Sequence, residues 1–289
     1  MNALSLSPDV NSWLTKSRHP SILHVFKSAC NLINERREVL AVVTQQIGNG
    51  PFNLVMKEVV SFSDHLNTQS PISIRANQLT LEDLIISTED AKLWSPRPDW
   101  EMLHAKRDAI AKLLLTKYQK YGLDMGFAKN AQPYSTTTFI PNLPITNYQF
   151  SNSLISSLAN ADLPPSLAAT QQLAGLGIGL TPAGDDFTLG AVLAAWIIHP
   201  PEVARVLAEE ITNIAAPLTT SLSAAWLRSA GKGEAGNLWH NFFDALISND
   251  PMRIQGAMEK ILAVGATSGA DALAGFIGTF TSYAKSETK

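Results

Sequence analysis

The chain has 289 residues, a net charge of -3 and an apolar fraction of 45% against 16% charged residues, which is room for one large domain or two ordinary ones and excludes disorder as a description of the whole. The slight acidity, with no dense Lys/Arg stripe, argues against nucleic acid as a partner. The lone cysteine, Cys30, rules out an intramolecular disulfide and any Cys-cluster zinc site.

The N-terminus, MNALSLSPDVNSWLTKSRHPSILHVF, lacks the basic start and unbroken apolar run of a signal peptide. The most apolar window, Leu189 to Ile198, is about half the length that a membrane-spanning helix needs. The expectation is a cytoplasmic protein with no membrane association. The first hundred residues read as β-rich. Arg37 to Gln46 and Phe52 to Phe62 carry β-branched residues and flank Gly48-Asn49-Gly50-Pro51, which predicts a hairpin-like pair. Pro71 to Leu81 and Glu82 to Thr88 continue the pattern, and Trp94-Ser95-Pro96-Arg97-Pro98 is a stiff exit.

Helical periodicity then runs from Trp100 to Tyr121, followed by a long loop from Leu123 to Asn147 with little periodicity. Beyond it the candidate helices are Tyr148–Ala161, Pro165–Leu176, Asp185–Ile198, Pro201–Ala230, Glu234–Ile247, Pro251–Val264 and Ser268–Lys285. Pro165, Pro201 and Pro251 sit in first turns, where proline is tolerated, and Pro217 is expected to bend or split the longest helix. The expected class is α+β: a β-rich region over residues 1–99 and a helical region over residues 100–289.

The stretch GLGIGLTPAGDDFTLG, residues 175–190, combines five glycines, a Thr-Pro pair and two adjacent acids at the start of an apolar run. It has an echo near the C-terminus. Gly179-Leu180-Thr181-Pro182-Ala183-Gly184-Asp185 aligns with Gly265-Ala266-Thr267-Ser268-Gly269-Ala270-Asp271, both reading G-x-T-x-x-x-D. Each predicts a helix entrance: Thr181 or Thr267 as N-cap, Pro182 or Ser268 at the first helical position, and Gly184 or Gly269 removing the Cβ that would screen the first N–H groups. Such N–H groups suit phosphate or carboxylate, so Gly177, Gly179, Thr181, Gly184, Thr267, Ser268 and Gly269 are the candidate anion-binding residues. Taken singly, either entrance is more simply a tight turn with capping residues; the pair raises the case for one shared anion site. The acids Asp185, Asp186 and Asp271 would repel a bare oxyanion unless they hold a cation such as Mg²⁺, accept from N–H groups, or meet a substrate's own donors. An amide or ureido group beside a carboxylate supplies such donors, and the residues alone leave these alternatives open.

Other signatures are missing or weak. The Gly-rich run is not a P-loop, since no lysine lies between Lys129 and Lys232, and it is not a dinucleotide fingerprint, since it follows a helical segment. The six histidines have no metal-ligand spacing, there is no G-x-S-x-G elbow, and Cys30 has no His partner. The Gly48-to-Asn53 turn is first a turn and second a loop that brings Asn53 to a ligand. Arg97 reads as solvent-facing, and is the isolated cation to test as a carboxylate clamp. Lys232, between two helices, reads as solvated.

The run from Gly175 to Asp186, G-L-G-x-G-L-T-P-x-G-D-D, resembles the signature of the AllH-type family, encoded beside FdrA-type proteins in allantoin-degradation operons. Gly50-Pro51-Phe52-Asn53, Trp94-Ser95-Pro96 and Thr267-Ser268-Gly269-x-Asp271 support the resemblance in the family's order. Ile178 stands where many relatives have Pro. The resemblance implies a subunit of oxamate carbamoyltransferase, which makes oxamate and carbamoyl phosphate from oxalurate and phosphate, in assembly with FdrA-type and AllG-type subunits. In that reading the Thr181 and Thr267 entrances hold phosphate or carboxylate, and Asp185 or Asp186 orients a ureido N–H or accepts its proton. Two other readings stand beside it: a non-catalytic assembly or regulatory subunit whose glycines serve helix packing, and a Mg²⁺-dependent phosphoryl-transfer enzyme. A homo-oligomer is compatible with all three.

Overall fold

The computed structural model describes residues 1–121 and 148–286; the expected loop from Leu123 to Asn147 lies outside them. The class is α+β, strands first and helices after. Two compact units emerge, one of residues 1–96 with 235–237, the other of residues 97–234 with 238–289.

In the first unit, β1 (Ala3–Leu6) and α1 (Pro8–Lys16) precede β2 (Ser21–Val25), β3 (Ala29–Ile33), β4 (Val39–Val43) and β5 (Asn53–Met56). After α2 (Phe62–His65) come β6 (Ile72–Arg75), β7 (Gln78–Leu81), β8 (Leu84–Ser87) and β9 (Lys92–Leu93). Six strands form one sheet in the order β2-β3-β4-β5-β1-β9, and β6-β7-β8 form a second. Every residue of β4 and β5 is buried, as expected of strands covered on both faces.

The hairpin expected around Gly48 to Pro51 is not formed. β4 and β5 pair in parallel, Ala41 opposite Asn53 and Val43 opposite Val55. The reason is that the connection contains two turns instead of one. Thr44 O accepts from the N–H groups of Ile47 and Gly48, and Gly50 O then accepts from Asn53 N. Two reversals return the chain to its original direction, and the turn residues of the sequence mark bends without counting them. The run from Pro71 to Thr88 holds the hairpins that were not expected. It reverses at Ala76 (φ 46) and again at Glu82 (φ 53), giving antiparallel β6-β7 and β7-β8. Neither reversal carries the glycine or asparagine that usually takes left-handed backbone at the first turn position.

The second unit is helical. The expected helix from Trp100 to Tyr121 breaks once, at Lys106, into α3 (Trp100–Ala105) and α4 (Arg107–Tyr121), with the Asp99 carboxylate accepting from Met102 N at 2.9 Å to cap the first. There follow α5 (Tyr148–Ala159), α6 (Leu163–Leu173), α7 (Ala183–Ile198), α8 (Pro201–Ala215), α9 (Ser221–Gly231), α10 (Asn237–Ser248), α11 (Pro251–Leu262) and α12 (Ser268–Ser286). The break between α8 and α9 is a 3-10 turn at Ala216–Leu218, placed by Pro217 as expected, because proline lacks the N–H that would continue the helix. α7 is apolar nearly all round and buried along almost its whole length, the mark of a central helix. Around it, Trp100, Trp196, Trp239, Phe243 and Phe276 pack as aromatic neighbours 5.3–5.8 Å apart. Burying one Phe of this kind is worth roughly 1.5–3 kcal/mol. Among the described residues no helix is long and apolar enough to cross a membrane.

Candidate functional site

The two helix entrances meet. The hydroxyls of Thr181, before α7, and Ser268, at the start of α12, lie 2.8 Å apart. They are brought together because α7 and α12 cross at very short range. A Cβ on Gly190 would fall 1.8 Å from Ala272 O, and one on Gly275 would fall 2.0 Å from Phe187 O. Only glycine lets two helix backbones approach so closely.

These two contacts are reciprocal, and they reset the internal repeat. Gly190 touches Ala272 as Gly275 touches Phe187, a pseudo-two-fold relation in which Gly190 corresponds to Gly275 and Phe187 to Ala272. Carried toward the helix starts, it matches Ala183 with Ser268, Gly184 with Gly269 and Asp186 with Asp271. The structural repeat is therefore G-x-D-x-x-x-G, Gly184 to Gly190 and Gly269 to Gly275. The alignment on threonine was one residue out: it matched Asp185 with Asp271, whereas Asp185 corresponds to Ala270. The loop before α7 is longer than the loop before α12, so residues ahead of the helices drift out of register. Thr181 is accordingly not the N-cap of α7. Pro182 holds that position, without a side-chain cap.

The three acids have different surroundings. Asp185 is buried, and its carboxylate is fully engaged: it accepts from Gly175 N and Ser223 Oγ at 2.8 Å each, and from Thr219 Oγ1. Burial pushes its pKa up, and these three donors oppose the push. Its contacts tie the Gly-rich loop to α9. Asp271 is 0% exposed, and neither of its oxygens has a hydrogen-bond partner. Burial lifts it to about 6, and the Thr267 hydroxyl opposes this without reaching hydrogen-bond geometry. Asp186 rises to about 8. Burial is the first cause, offset in part by the Ser268 and Thr181 hydroxyls and reinforced by the charges of Asp271 and Asp185. Its Oδ2 is buried and unpartnered. A buried carboxylate without donors is costly, and the group takes up a proton in response.

The glycines at the entrances serve packing first. A Cβ on Gly184 would lie 2.1 Å from Leu173 O, at the end of α6, and one on Gly269 would lie 1.7 Å from Ile261 O, near the end of α11. Gly177 (φ 124) packs against the first N–H of α7, its Cβ position only 2.7 Å from Ala183 N, and Gly179 (φ 97) is exposed with nothing within 4 Å. The N–H groups of Gly184, Asp185 and Asp186 donate to Leu176 O and Pro182 O, and those of Gly269 and Asp271 to Val264 O and Thr267 O. Hydroxyls, not free helix N–H groups, are thus the conspicuous donors beside the acids: Thr181, Ser268 and Thr267.

Two predicted residues are not part of this cluster. Arg97 donates to Lys232 O at 3.2 Å and lies 5.4 Å from the centre of the Trp196 ring. It borders a cavity of about 220 Å³ with Pro98, Trp100, Trp196 and Pro201. Trp196 is ten residues along α7 from Asp186, about 15 Å at 1.5 Å per residue. Asn53, in the first unit, is buried and donates from Nδ2 to Gly48 O at 2.9 Å, with Gly50 packed on its side chain; its contacts hold the turn. Among the described residues no group of three or more His, Cys, Asp or Glu side chains is arranged to hold a metal ion. Cys30 is buried, its thiol pushed up to about 12, and His104 and His199 bond to the carbonyls of Ile197 and Leu158. The residues not anticipated are Thr219 and Ser223, which hold Asp185, and Gly190 and Gly275, which set the crossing.

A family model described as oxamate carbamoyltransferase subunit AllH matches residues 173–280, and a model of the AllH family N-terminal domain matches residues 2–93. The chain belongs to the AllH family. The first match takes in both halves of the G-x-D-x-x-x-G repeat, and the AllH N-terminal domain takes in strands β1 to β9. No solved structure matches the chain.

Proposed function

We propose that the chain is a subunit of an oxamate carbamoyltransferase in purine and allantoin catabolism in the cytoplasm, working with FdrA-type and AllG-type subunits. The paired helix entrances are its reacting site. The family supplies the reaction class. The observation that carries the site is the meeting of the entrances, hydroxyl to hydroxyl, beside two equivalent acids, Asp271 buried and Asp186 half-buried, each with a buried, unpartnered oxygen.

Oxalurate and phosphate would react as follows. A phosphate oxygen bonds to the carbamoyl carbon, the bond from that carbon to the oxamate nitrogen breaks, and the nitrogen needs a proton to leave as an amide. Asp186, protonated near neutrality, supplies that proton, and the proton released by phosphate returns to the acids. A neutral carboxyl also removes the conflict between an anion and the acids, because it donates a hydrogen bond where a carboxylate would repel. The hydroxyls of Thr181, Thr267 and Ser268 would hold an oxyanion or the substrate carboxylate. Asp185, with its three donors, keeps the loop in position.

A second reading is favoured by the glycines. Gly184, Gly190, Gly269 and Gly275 are all explained by backbone contacts, as an assembly or regulatory subunit requires. One experiment separates the two readings. The chain is co-expressed with FdrA-type and AllG-type partners, and carbamoyl phosphate formation from oxalurate and phosphate is measured. Asp186→Asn should lower turnover on the order of 100-fold or more while leaving the assembly intact. Full turnover in that variant sinks the catalytic reading and leaves the assembly reading standing.

A further inference from the structure

Asp271 has no stated part in the reaction above, yet it occupies the position equivalent to Asp186 on the other side of the pseudo-two-fold relation. It is the more deeply buried of the two: its whole side chain is shielded and both oxygens are orphaned. A side chain of that kind cannot persist in the interior as a bare anion without a donor. The donors available are few. Ser268 precedes Asp271 by three residues and so shares its face of α12, but its hydroxyl is engaged with Thr181 Oγ1 and Asp186.

The two acids have complementary needs. A neutral Asp186 has an O–H to donate and, at Oδ2, no acceptor in place. Asp271 has two acceptors and no donor in hydrogen-bond geometry. We infer that Asp186 and Asp271 form a symmetric acid pair holding one proton in common, with Asp271 as the positioning residue that keeps Asp186 an acid. The two equivalent carboxyls both lie between the Thr181–Ser268 contact and the glycine crossing, and each charge so placed disfavours the other. Over residues 173–198 and 261–284 the only charged residues are Asp185, Asp186 and Asp271, so no base competes for the proton along these segments. Asp185 and Asp271 are the charges that face Asp186. Among the helices packed around α7 and α12, α5 and α6 carry no charged residue, and Arg228 of α9 and the charged residues of α8 and α11 are exposed; α3 and α4 bring His104, bonded to Ile197 O at the far end of α7, and Arg107 and Asp108, which meet Tyr283 at the far end of α12. The pair gives the reaction proposed above both a donor and an acceptor, one carboxyl releasing the proton while its twin takes the next.

The inference rests on that reading for its purpose and not for its test. Carboxyl protonation is followed by ¹³C NMR on the full-length chain labelled at aspartate, in wild type, Asp186→Asn, Asp271→Asn and Asp185→Asn. The expected result is one proton lost from the pair only above neutrality in wild type. In Asp271→Asn the step assigned to Asp186 should move to lower pH by about one unit or more, since removing a neighbouring charge favours ionisation. In Asp186→Asn the Asp271 carboxyl loses the O–H donor of its neutral twin, not a charge, and should ionise at no lower pH than in wild type, whereas Asp185→Asn should lower the Asp186 step by less than Asp271→Asn does. An Asp186 step at the same pH in wild type and Asp271→Asn overturns the shared proton. If the titrations behave as expected but the assembled Asp186→Asn enzyme keeps full turnover, the pair is real and its catalytic use is refuted.

Discussion

The starts of α7 and α12 are built to one pattern and finished differently. Each has a glycine seated on a carbonyl near the end of the preceding helix, an acid two residues on, and a second glycine at the crossing. Around α7, a third acid was added. Asp185 gathers Gly175, Thr219 and Ser223 and fixes a long loop with Gly177 and Gly179 in left-handed backbone. Around α12, the corresponding residue is Ala270 and the loop is shorter. What differs between the halves is therefore structural reinforcement, and what they share is an acid with a buried, unpartnered oxygen. Buried polar groups are normally satisfied, and an unsatisfied one retained in both halves points to chemistry.

The crossing gives the sharpest test of that equivalence. Gly190→Ala and Gly275→Ala would each drive a methyl to within about 2 Å of a carbonyl oxygen on the opposing helix, a contact that helix displacement alone can relieve. Overpacking in a tight core costs about 1–3 kcal/mol and more where backbone must move. Both variants should lose at least that much in urea unfolding, and by similar amounts. A large loss at one glycine and none at the other would break the pseudo-two-fold relation.

The acids should separate next. Asp185→Asn replaces a carboxylate that accepts three hydrogen bonds with an amide whose NH₂ faces donors, which should cost about 1–3 kcal/mol by urea unfolding at pH 8. Asp186→Asn and Asp271→Asn should do the opposite at that pH. A carboxyl raised in the folded state binds its proton more tightly there than in the unfolded chain, so its contribution is fully present below the ordinary carboxylate pKa. It is lost as pH rises through about 6 for Asp271 and about 8 for Asp186. Wild type should therefore lose Tm between pH 4 and pH 8 relative to both variants, with the curves meeting at the acid end. Parallel curves over the whole range would show that the two acids ionise normally.

How much of this was legible in sequence varies with the range of the interaction that decides it. Helices α5 to α12 and the break at Pro217 follow from apolar period, proline and local capping, which are near-neighbour effects. The parallel pairing of β4 with β5 does not, because whether a strand returns parallel or antiparallel depends on how many bends the connection makes. The echo between the entrances was visible, and with it Asp186, Asp271, Thr181 and Ser268. Its register was not, because threonine and glycine ahead of a helix belong to loops of unequal length, whereas Gly190 and Gly275 belong to the crossing itself. Asp185 and Asp186 are adjacent and chemically identical in the sequence. Only the donors that reach Asp185 from Thr219 and Ser223, far along the chain, tell them apart.

The smallest expected effect falls on the hydroxyls that join the two halves. Thr181→Val keeps the shape of the side chain and removes its oxygen, leaving Ser268 without that partner and Asp186 with one donor fewer. The stability change should be about 1 kcal/mol or less, since the group is only half-buried and one neutral hydrogen bond is worth about that much. The protonation change should be easier to read. Losing a donor that favours the charged form should carry Asp186 to still higher pH in the NMR titration, the reverse of what Asp271→Asn does. Opposite shifts from the two substitutions would place Asp186 between its two neighbours, the hydroxyl that eases ionisation and the acid that resists it. No shift from either substitution would mean that burial alone governs the site, and that the likeness of the two entrances ends at their backbones.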